Sequence, residues 1–253
     1  MKVVVTGATG HAGRQIVQQC IDSPRITKVL VVTRKAVSGE VESHPKVEVV
    51  MLQDFSHYTE AVMGRLEGAE ACLCEISALS PSSADGTGIR VLRAIGSRAE
   101  QLKSEKGLHR KVAVDLPLAA ATAFRARLAD KVPERCRFRF VFCSRQAVER
   151  SRGPLLLMSE RRRCVGEVER GLSRVADDAH GDGFETYILR PASFGPWEGE
   201  GPAPPASVSR RLVGGLQGGI GAVEVARAMV HVACNGWKER IIEKEALVSI
   251  SQG

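Results

Sequence analysis

The sequence predicts an α/β fold with a doubly wound parallel sheet and a small substrate-side region towards the C-terminus. Short apolar runs, typical of buried parallel strands, alternate with helical patterns along the chain. This order implies right-handed crossovers with helices on both faces of the sheet. The first apolar run also breaks into a turn with glycines at Gly7, Gly10 and Gly13, directly before a helical pattern. Together these observations indicate a Rossmann-type sheet that binds ligands at the carboxyl ends of its strands.

The first strand and its glycine turn organise the rest of the chain. Gly7 lets the chain leave the strand in a tight turn, and Gly10 leaves room for a pyrophosphate. Gly13 allows the following helix to pack closely on the strand. The free N–H groups at the start of that helix then face the phosphates. A glycine turn that binds nothing is the alternative, but the position between strand and helix favours a nucleotide. The turn residues expected to bind it are Gly7, Thr9, Gly10, His11, Ala12 and Gly13.

The Gly-x-x-Gly-x-x-Gly spacing after Thr6 resembles the short-chain dehydrogenase/reductase superfamily, in its extended or atypical branch. The resemblance covers almost the whole chain, except the residues near 79–111. It implies an NAD(P)-binding Rossmann protein, similar to the Tat-interacting oxidoreductase-like and nucleoside-diphosphate-sugar-epimerase-like members. Hydride transfer is the activity that such a resemblance implies.

The second strand, residues 28–34, ends on two cations that bear on cofactor choice. An acidic residue at this position would accept hydrogen bonds from the ribose 2′-OH of NAD, but Arg34 and Lys35 stand there instead. Arginine and lysine favour a 2′-phosphate, so we expect NADP (NADPH) to be the cofactor. Two ordinary surface cations are the alternative.

The third strand, residues 47–52, is followed by Asp54 and Phe55. In the family that the chain resembles, an aspartate and an apolar residue at this position flank the adenine. The resemblance therefore implies that Asp54 and Phe55 bind the cofactor.

The fourth strand comprises residues 71–76. In the family that the chain resembles, the end of this strand is usually glycine-rich and its backbone lies along the cofactor. The resemblance therefore makes Ile76 and Ser77 candidate binding residues. Glu75 is a departure from that pattern. Because a carboxylate repels phosphates, we expect Glu75 to point away from a bound NADP.

A long connection of residues 79–111 follows. It exceeds the usual length of a βα connection and is compatible with a lid, an inserted helix or a mobile loop. Beyond it, Asp115, Leu116 and Pro117 predict the start of an alanine-rich helix, with the proline in the first turn.

The fifth strand, residues 139–144, ends on Ser144, which matches the catalytic serine position of the resembling family. A later strand ends on an Arg-Pro pair, and the resemblance places its loop beside the nicotinamide and the substrate. Pro191 and Ser193 are therefore candidates for cofactor and substrate contacts. Residues 221–229 resemble the late helix of the same families.

The family's Tyr-x-x-x-Lys pair is absent. Of the two tyrosines, Tyr58 is followed four residues later by valine and Tyr187 by proline. The expected helix is recognisable over residues 161–169, where Arg161 replaces the tyrosine and Val165 the lysine. Arginine does not give up a proton near neutral pH.

The remaining candidates for chemistry are few. We expect the catalytic residues to be Ser144, Arg161 and Ser193, and Arg163 to bind the ribose or the phosphates. A strand-end serine that only caps backbone and arginines that are only solvated are the alternatives. No metal-binding motif is present, so no metal is expected.

Length and composition limit the class of protein. The 253 residues predict one domain, residues 1–253, with residues 190–253 contributing the substrate-side region. The net charge of +7 comes mostly from arginines scattered among acidic residues, and aromatic residues are scarce, which argues against nucleic-acid binding. An odd number of cysteines, seven, favours a reducing cytoplasm. We expect no signal peptide and no membrane span.

Three functions fit these observations. The first is an NADPH-dependent oxidoreductase of the atypical short-chain class that acts on a small carbonyl metabolite. The second is a non-catalytic NADP-binding regulator or scaffold, which loss of the Tyr-x-x-x-Lys pair favours. The third is a redox-neutral isomerase or cyclase that uses the same pocket. Fold alone does not separate them, and the substrate and oligomeric state are left open.

Overall fold

The computed structural model describes residues 1–75, 107–133, 136–144, 155–178, 183–191 and 220–252. For residues 155–161 it describes the backbone only. Every structural statement below concerns these ranges.

A seven-stranded, all-parallel sheet forms the centre of the described chain, in the order β3-β2-β1-β4-β5-β6-β7. The order reverses between β1 and β4, so the connections that leave these neighbouring strands go to opposite faces and a crevice opens at their carboxyl ends. The predicted doubly wound α/β sheet is confirmed. The strands are β1 (Lys2–Thr6), β2 (Lys28–Thr33), β3 (Val47–Met51), β4 (Ala71–Cys74), β5 (Phe138–Cys143), β6 (Phe184–Arg190) and β7 (Ile241–Glu243).

Helices cover both faces of the sheet. The α-helices are α1 (His11–Asp22), α2 (Gly39–Glu42), α3 (Glu60–Leu66), α4 (Leu116–Leu128), α5 (Leu155–Asp177), α6 (Ala222–Asn235) and α7 (Lys244–Gln252). A π-helical turn (Lys111–Asp115) precedes α4, and a short 3-10 helix (Ala129–Lys131) follows it.

The alternation of side chains along each strand divides the core into two. Val3 and Val5 of β1 lie in one cluster, with apolar residues of α1, α6 and α7. Val4 lies in the other, with residues of α3, α4 and α5. Both faces of β1 are therefore buried, as the continuous valine run predicts for a central parallel strand.

Rings dominate the second core, on the face that α4 covers. Phe124 is fully buried, and its ring centroid lies 5.0 Å from that of Tyr58 and 6.0 Å from that of Phe138. Burial raises the pKa of Tyr58 well above its ordinary value. Tyr187 lies on β6, and its hydroxyl donates to Glu185. Both tyrosines therefore lie outside α5, the helix that would carry a Tyr-x-x-x-Lys pair.

The start of the fourth helix differs from the prediction. Residues 107–110 are already helical, so the helix does not begin at Asp115. The backbone N–H of Leu116 donates to the carbonyl of Lys111, five residues earlier, which is the π-helical pattern. Pro117 has no N–H to donate, and the wider turn lies directly before it.

The C-terminal residues belong to the same sheet. The sequence reasoning gave no strand for Ile241–Glu243 and no helix for Lys244–Gln252. β7 pairs in parallel with β6, and Leu247 of α7 is buried in the first core. The single domain over residues 1–253, with a substrate-side region from about residue 190, stays a prediction.

Two further observations concern the described ranges as a whole. All seven cysteines lie within them and are free thiols, and six of the seven are buried. No helix in these ranges is both long enough and apolar enough to cross a bilayer.

Candidate functional site

The glycine turn is held by close contacts that leave no room for side chains. Gly7 has a φ of +78°, and a Cβ at this position would lie 1.5 Å from the backbone oxygen of Glu75. A Cβ on Gly13 would lie 1.9 Å from the backbone oxygen of Gly7. The N–H of Gly10 donates to that same oxygen at 2.9 Å. The turn, the end of β4 and the start of α1 are therefore packed backbone against backbone.

The N-terminus of α1 is open to an anion. Gly10 is the N-cap, no described side chain caps the helix, and its first turn carries no acidic residue. His11 is exposed, whereas Ala12 and Gly13 are buried. Unsatisfied first-turn N–H groups and the positive end of the helix dipole favour phosphate at such a terminus.

A cleft of about 190 Å³ lies at the carboxyl ends of β1, β2 and β4. It brings together five residues that the sequence assigned to the cofactor, namely Gly7, Thr9, Gly10, Arg34 and Phe55. Lys35, which the sequence analysis paired with Arg34, also lines it. Five more lining residues were given no binding role: Val32, Thr33, Glu75, Val112 and Leu116. The cleft lies at the switch point between β1 and β4, where a doubly wound sheet is expected to bind its ligand.

Two cations form the β2 side of this cleft. The Thr33 hydroxyl donates to the carbonyl of Lys35 at 2.8 Å and accepts from its N–H at 3.2 Å, which fixes the chain as it leaves the strand. Arg34 and Lys35 are exposed, and neither forms an ion pair with an acidic side chain in the described ranges. Both charges remain available to an anionic ligand.

The two residues predicted to flank the adenine lie in different surroundings. Phe55 is buried and lines the cleft. Asp54 is exposed, is not a lining residue, and accepts hydrogen bonds from the N–H and the hydroxyl of Ser56, which lower its pKa. Val112 and Leu116 are further apolar lining residues. The two residues are four apart, which is the spacing of one helix face. Val112 falls between the long connection and the predicted helix, so the sequence analysis gave neither residue a binding role.

The Glu75 side chain lies beside the glycine turn. It lines the cleft with a relative exposure of 1%. Its Oε2 lies 3.3 Å from the position that a Cβ on Gly7 would occupy. The tight approach of β4 to the Gly7 turn fixes this placement, and the orientation of Glu75 towards a bound NADP stays a prediction. On the same strand, burial raises the pKa of the Cys74 thiol to about 12, which keeps it neutral.

A second polar cluster lies at the carboxyl ends of β5, β6 and β7. The buried Ser144 hydroxyl donates to Oε1 of Glu169, on α5, at 2.6 Å. Arg190 donates to both oxygens of Glu169, at 3.0 Å and 2.5 Å, and to Glu243 at 2.7 Å. The hydrogen bond with Glu169 raises the pKa of Arg190. The cluster ties α5 to the ends of three strands.

This cluster defines what Ser144 can do. A serine hydroxyl has one proton, and here it is directed at a carboxylate. While that bond holds, Ser144 offers a second partner only lone pairs. The sequence reasoning assigned no role to Glu169, although it lies one helical turn after Val165, on the helix face expected to carry the Tyr-x-x-x-Lys pair.

The other predicted site residues are placed as follows. Arg163 is exposed on α5, and Pro191 is buried at the end of β6. The backbone of Arg161 belongs to α5, but its side chain is not described. Ile76, Ser77 and Ser193 lie outside the described residues. The described residues contain no cluster of His, Cys, Asp and Glu that could hold a metal ion.

The sequence is similar to part of a curated protein. No family model matches the chain. Over 144 residues the chain is 32% identical to the leucinostatins biosynthesis cluster protein T of Purpureocillium lilacinum. The match covers 57% of this chain and 42% of the relative, so the chain spans less than half of that protein's length.

Solved structures with the same fold are short-chain dehydrogenases/reductases. One from Burkholderia cenocepacia, in complex with NADP, matches 100% of this chain and 94% of its own at a TM-score of 0.62 and 16% identity. Yeast methylglyoxal/isovaleraldehyde reductase, complexed with NADPH, matches 96% of this chain and 75% of its own at a TM-score of 0.57 and 17% identity. At these identities the likeness establishes the fold of a short-chain dehydrogenase/reductase.

The contacts of Gly7 predict a severe effect for Gly7→Ala. The left-handed backbone alone costs an alanine about 1–2 kcal/mol, and the new Cβ collides with the backbone oxygen of Glu75. We expect a loss of unfolding free energy in urea and loss of the open cleft. Gly64→Ala is the matched control, because nothing lies within 4 Å of its added Cβ; this helical change stabilises by roughly 0.5–1 kcal/mol. Equal stability of the two variants would contradict the strained turn.

The buried cluster predicts a stability cost for Glu169→Gln. The amide keeps the volume but removes the charge that pairs with Arg190, so we expect the unfolding free energy to fall by about 2–3 kcal/mol. Glu60→Gln, which breaks an exposed pair with Arg127, should change it little. Urea unfolding of both variants checks this, and a Glu169→Gln protein as stable as the parent would show that the cluster is not structural.

Proposed function

We propose that the chain binds NADP(H) in the cleft of the glycine turn and acts as an NADPH-dependent oxidoreductase of the atypical short-chain class on a small carbonyl metabolite. The observation that carries the proposal is the convergence of three features on one cleft. These are the close-packed glycine turn, the uncapped N-terminus of α1, and the cations Arg34 and Lys35. The first two suit the pyrophosphate of a phosphorylated dinucleotide, and the cations suit its 2′-phosphate.

The choice of NADP over NAD rests on the end of β2. An NAD site needs an acceptor for the ribose 2′-OH, but the cleft residues there are Thr33, Arg34 and Lys35. The Thr33 hydroxyl is already bonded to the backbone of Lys35. The two cations suit a 2′-phosphate, with the planar guanidinium of Arg34 able to bind it through two N–H groups.

The residues of the chain would divide the remaining roles by position. Phe55, Val112 and Leu116, which are apolar lining residues of the cleft, would contact the adenine. When bound, NADPH supplies a hydride. Pro191, at the end of β6, and Ser193 beyond it belong to the loop proposed to lie beside the nicotinamide and the substrate.

Ser144 and Arg161 are the proposed contacts to the reacting oxygen. Because the Ser144 proton is directed at Glu169, Ser144 would accept a hydrogen bond from a substrate or product hydroxyl. Arg161 would stabilise developing negative charge as a fixed cation. The proton for the product oxygen would then come from water or from the substrate itself, since arginine does not supply it.

The comparisons support this reading without defining the substrate. The yeast enzyme of the same fold is a methylglyoxal/isovaleraldehyde reductase, and both names describe small carbonyl compounds. The curated relative belongs to a biosynthesis cluster. A small carbonyl substrate is the simplest class consistent with both.

A non-catalytic NADP-binding regulator or scaffold is the second candidate. The observation that favours it is the loss of both members of the Tyr-x-x-x-Lys pair. Engagement of the Ser144 hydroxyl by Glu169 adds to this, because it removes one more donor for a carbonyl. A redox-neutral isomerase or cyclase in the same pocket is the third.

Turnover separates these candidates. We expect the full chain to oxidise NADPH in the presence of at least one member of a panel of small aldehydes, ketones and enones, followed by the loss of absorbance at 340 nm. The Gly7→Ala protein is the control for background oxidation. Tight NADPH binding with no turnover across the panel would favour the regulator, and no binding of either nucleotide would favour the redox-neutral enzyme.

Charge reversal at the end of β2 tests the cofactor assignment. Arg34→Asp removes a partner of the 2′-phosphate and adds an acceptor for a 2′-OH. We expect NADPH affinity to fall by about tenfold or more, while NADH affinity is kept or improved. Arg174→Asp, an exposed change in the last turn of α5 and outside the cleft lining, is the control. An unchanged NADPH-to-NADH ratio in Arg34→Asp would make the 2′-phosphate assignment wrong.

A further inference from the structure

We propose that the cleft recognises ribose-phosphorylated adenosine nucleotides as a class, whether the phosphate is on the 2′- or the 3′-oxygen of the ribose. This inference rests on the proposed function and extends it to a second kind of ligand. Nucleotides with a 3′-phosphate on the adenosine, of which coenzyme A is one, then compete with NADP(H) for the same two cations, Arg34 and Lys35.

Two adjacent cations stand where the ribose of the adenosine is expected. Arg34 and Lys35 directly follow β2, and both line the cleft. In a doubly wound sheet the residues at this strand end contact the ribose of the adenosine. The 2′- and 3′-oxygens are on neighbouring carbons and on the same face of the ribose ring. A phosphate on either oxygen is therefore within reach of the same pair of cations.

The two cationic side chains can adjust to the position of a phosphate. Both are exposed, and neither forms an ion pair with a described acidic side chain. Arginine and lysine have long, flexible stems, so a side chain without a fixed partner samples many rotamers. Arg34 can bind a phosphate through two N–H groups and Lys35 as a point charge, and neither mode requires a particular ribose oxygen.

Discrimination between the two phosphate positions needs a fixed group that reads the hydroxyl left free. Thr33 is the polar residue of β2 that lines the cleft. Its hydroxyl donates to the carbonyl of Lys35 at 2.8 Å and accepts from the N–H of Lys35 at 3.2 Å, so its one proton is already used. Among the described lining residues the acidic one, Glu75, follows β4 and not β2. The end of β2 therefore reads the charge of a ribose phosphate rather than its position on the ring.

The experiment is titration calorimetry on the full chain with three fragments at fixed pH and salt. The fragments are adenosine 2′,5′-bisphosphate, adenosine 3′,5′-bisphosphate and adenosine 5′-monophosphate, which differ only in the ribose phosphate. We expect the two bisphosphates to bind within about threefold of each other, and each about tenfold or more tighter than the monophosphate. Coenzyme A, titrated into the chain saturated with NADPH, should displace the NADPH.

Arg34→Gln and Lys35→Gln test whether the same cations serve both phosphate positions. We expect each variant to weaken both bisphosphates by the same factor, about three- to tenfold, because a charge-assisted hydrogen bond is lost. The affinity for the monophosphate should not change. Arg227→Gln removes an exposed charge on α6, outside the described lining of the cleft, and is the control for net charge. It should leave all three affinities unchanged.

The ratio of the two bisphosphate affinities is the deciding measurement. If the 3′,5′-bisphosphate binds tenfold or more weakly than the 2′,5′-bisphosphate, or no better than the monophosphate, the inference is overturned. It is also overturned if Arg34→Gln and Lys35→Gln weaken only the 2′,5′-bisphosphate. A chain that binds NADPH and the 2′,5′-bisphosphate but not the 3′,5′-bisphosphate keeps the proposed function and loses only this inference. If the chain binds neither NADPH nor either bisphosphate, the proposed function fails as well.

Discussion

The close approach of the Gly7 turn to the end of β4 is the contact on which the candidate site depends. The backbone oxygen of Glu75 occupies space that a Cβ on Gly7 would need, and the oxygen of Gly7 does the same for Gly13. Three segments therefore meet without side chains between them. This brings the N-terminus of α1 to the carboxyl ends of β1 and β4, where the sheet order reverses. The same packing also places the Glu75 side chain beside the turn.

The other end of the sheet is organised by charge. Glu169 is buried, and it accepts hydrogen bonds from both Ser144 and Arg190. A buried carboxylate needs such partners, because its desolvation is otherwise costly. These hydrogen bonds hold α5 against the ends of β5 and β6, where the chemistry of a short-chain dehydrogenase would lie. A reaction that used Ser144 would find its hydroxyl already donating to Glu169.

The sheet could be predicted from the sequence because its signals are local. Short segments of sequence indicate their own elements. The valine runs indicate β1 and β2, and the spacing of Gly7, Gly10 and Gly13 indicates the turn between a strand and a helix. The contacts of Glu169 could not be predicted from the sequence, because they join residues far apart in the chain. The orientation of Glu75 could not be predicted either, because it follows from the approach of two backbone segments. β7 has three residues, too few for a periodic pattern.

The central claim is that the cleft is a nucleotide site with a preference for the 2′-phosphate, and a direct titration of the unmodified chain tests it. Calorimetry with NADPH and with NADH, at the same pH and salt, measures stoichiometry and affinity together. We expect one NADPH per chain and binding of NADH that is weaker by about tenfold or more. Equal affinities for the two nucleotides, or no binding of either, would contradict it.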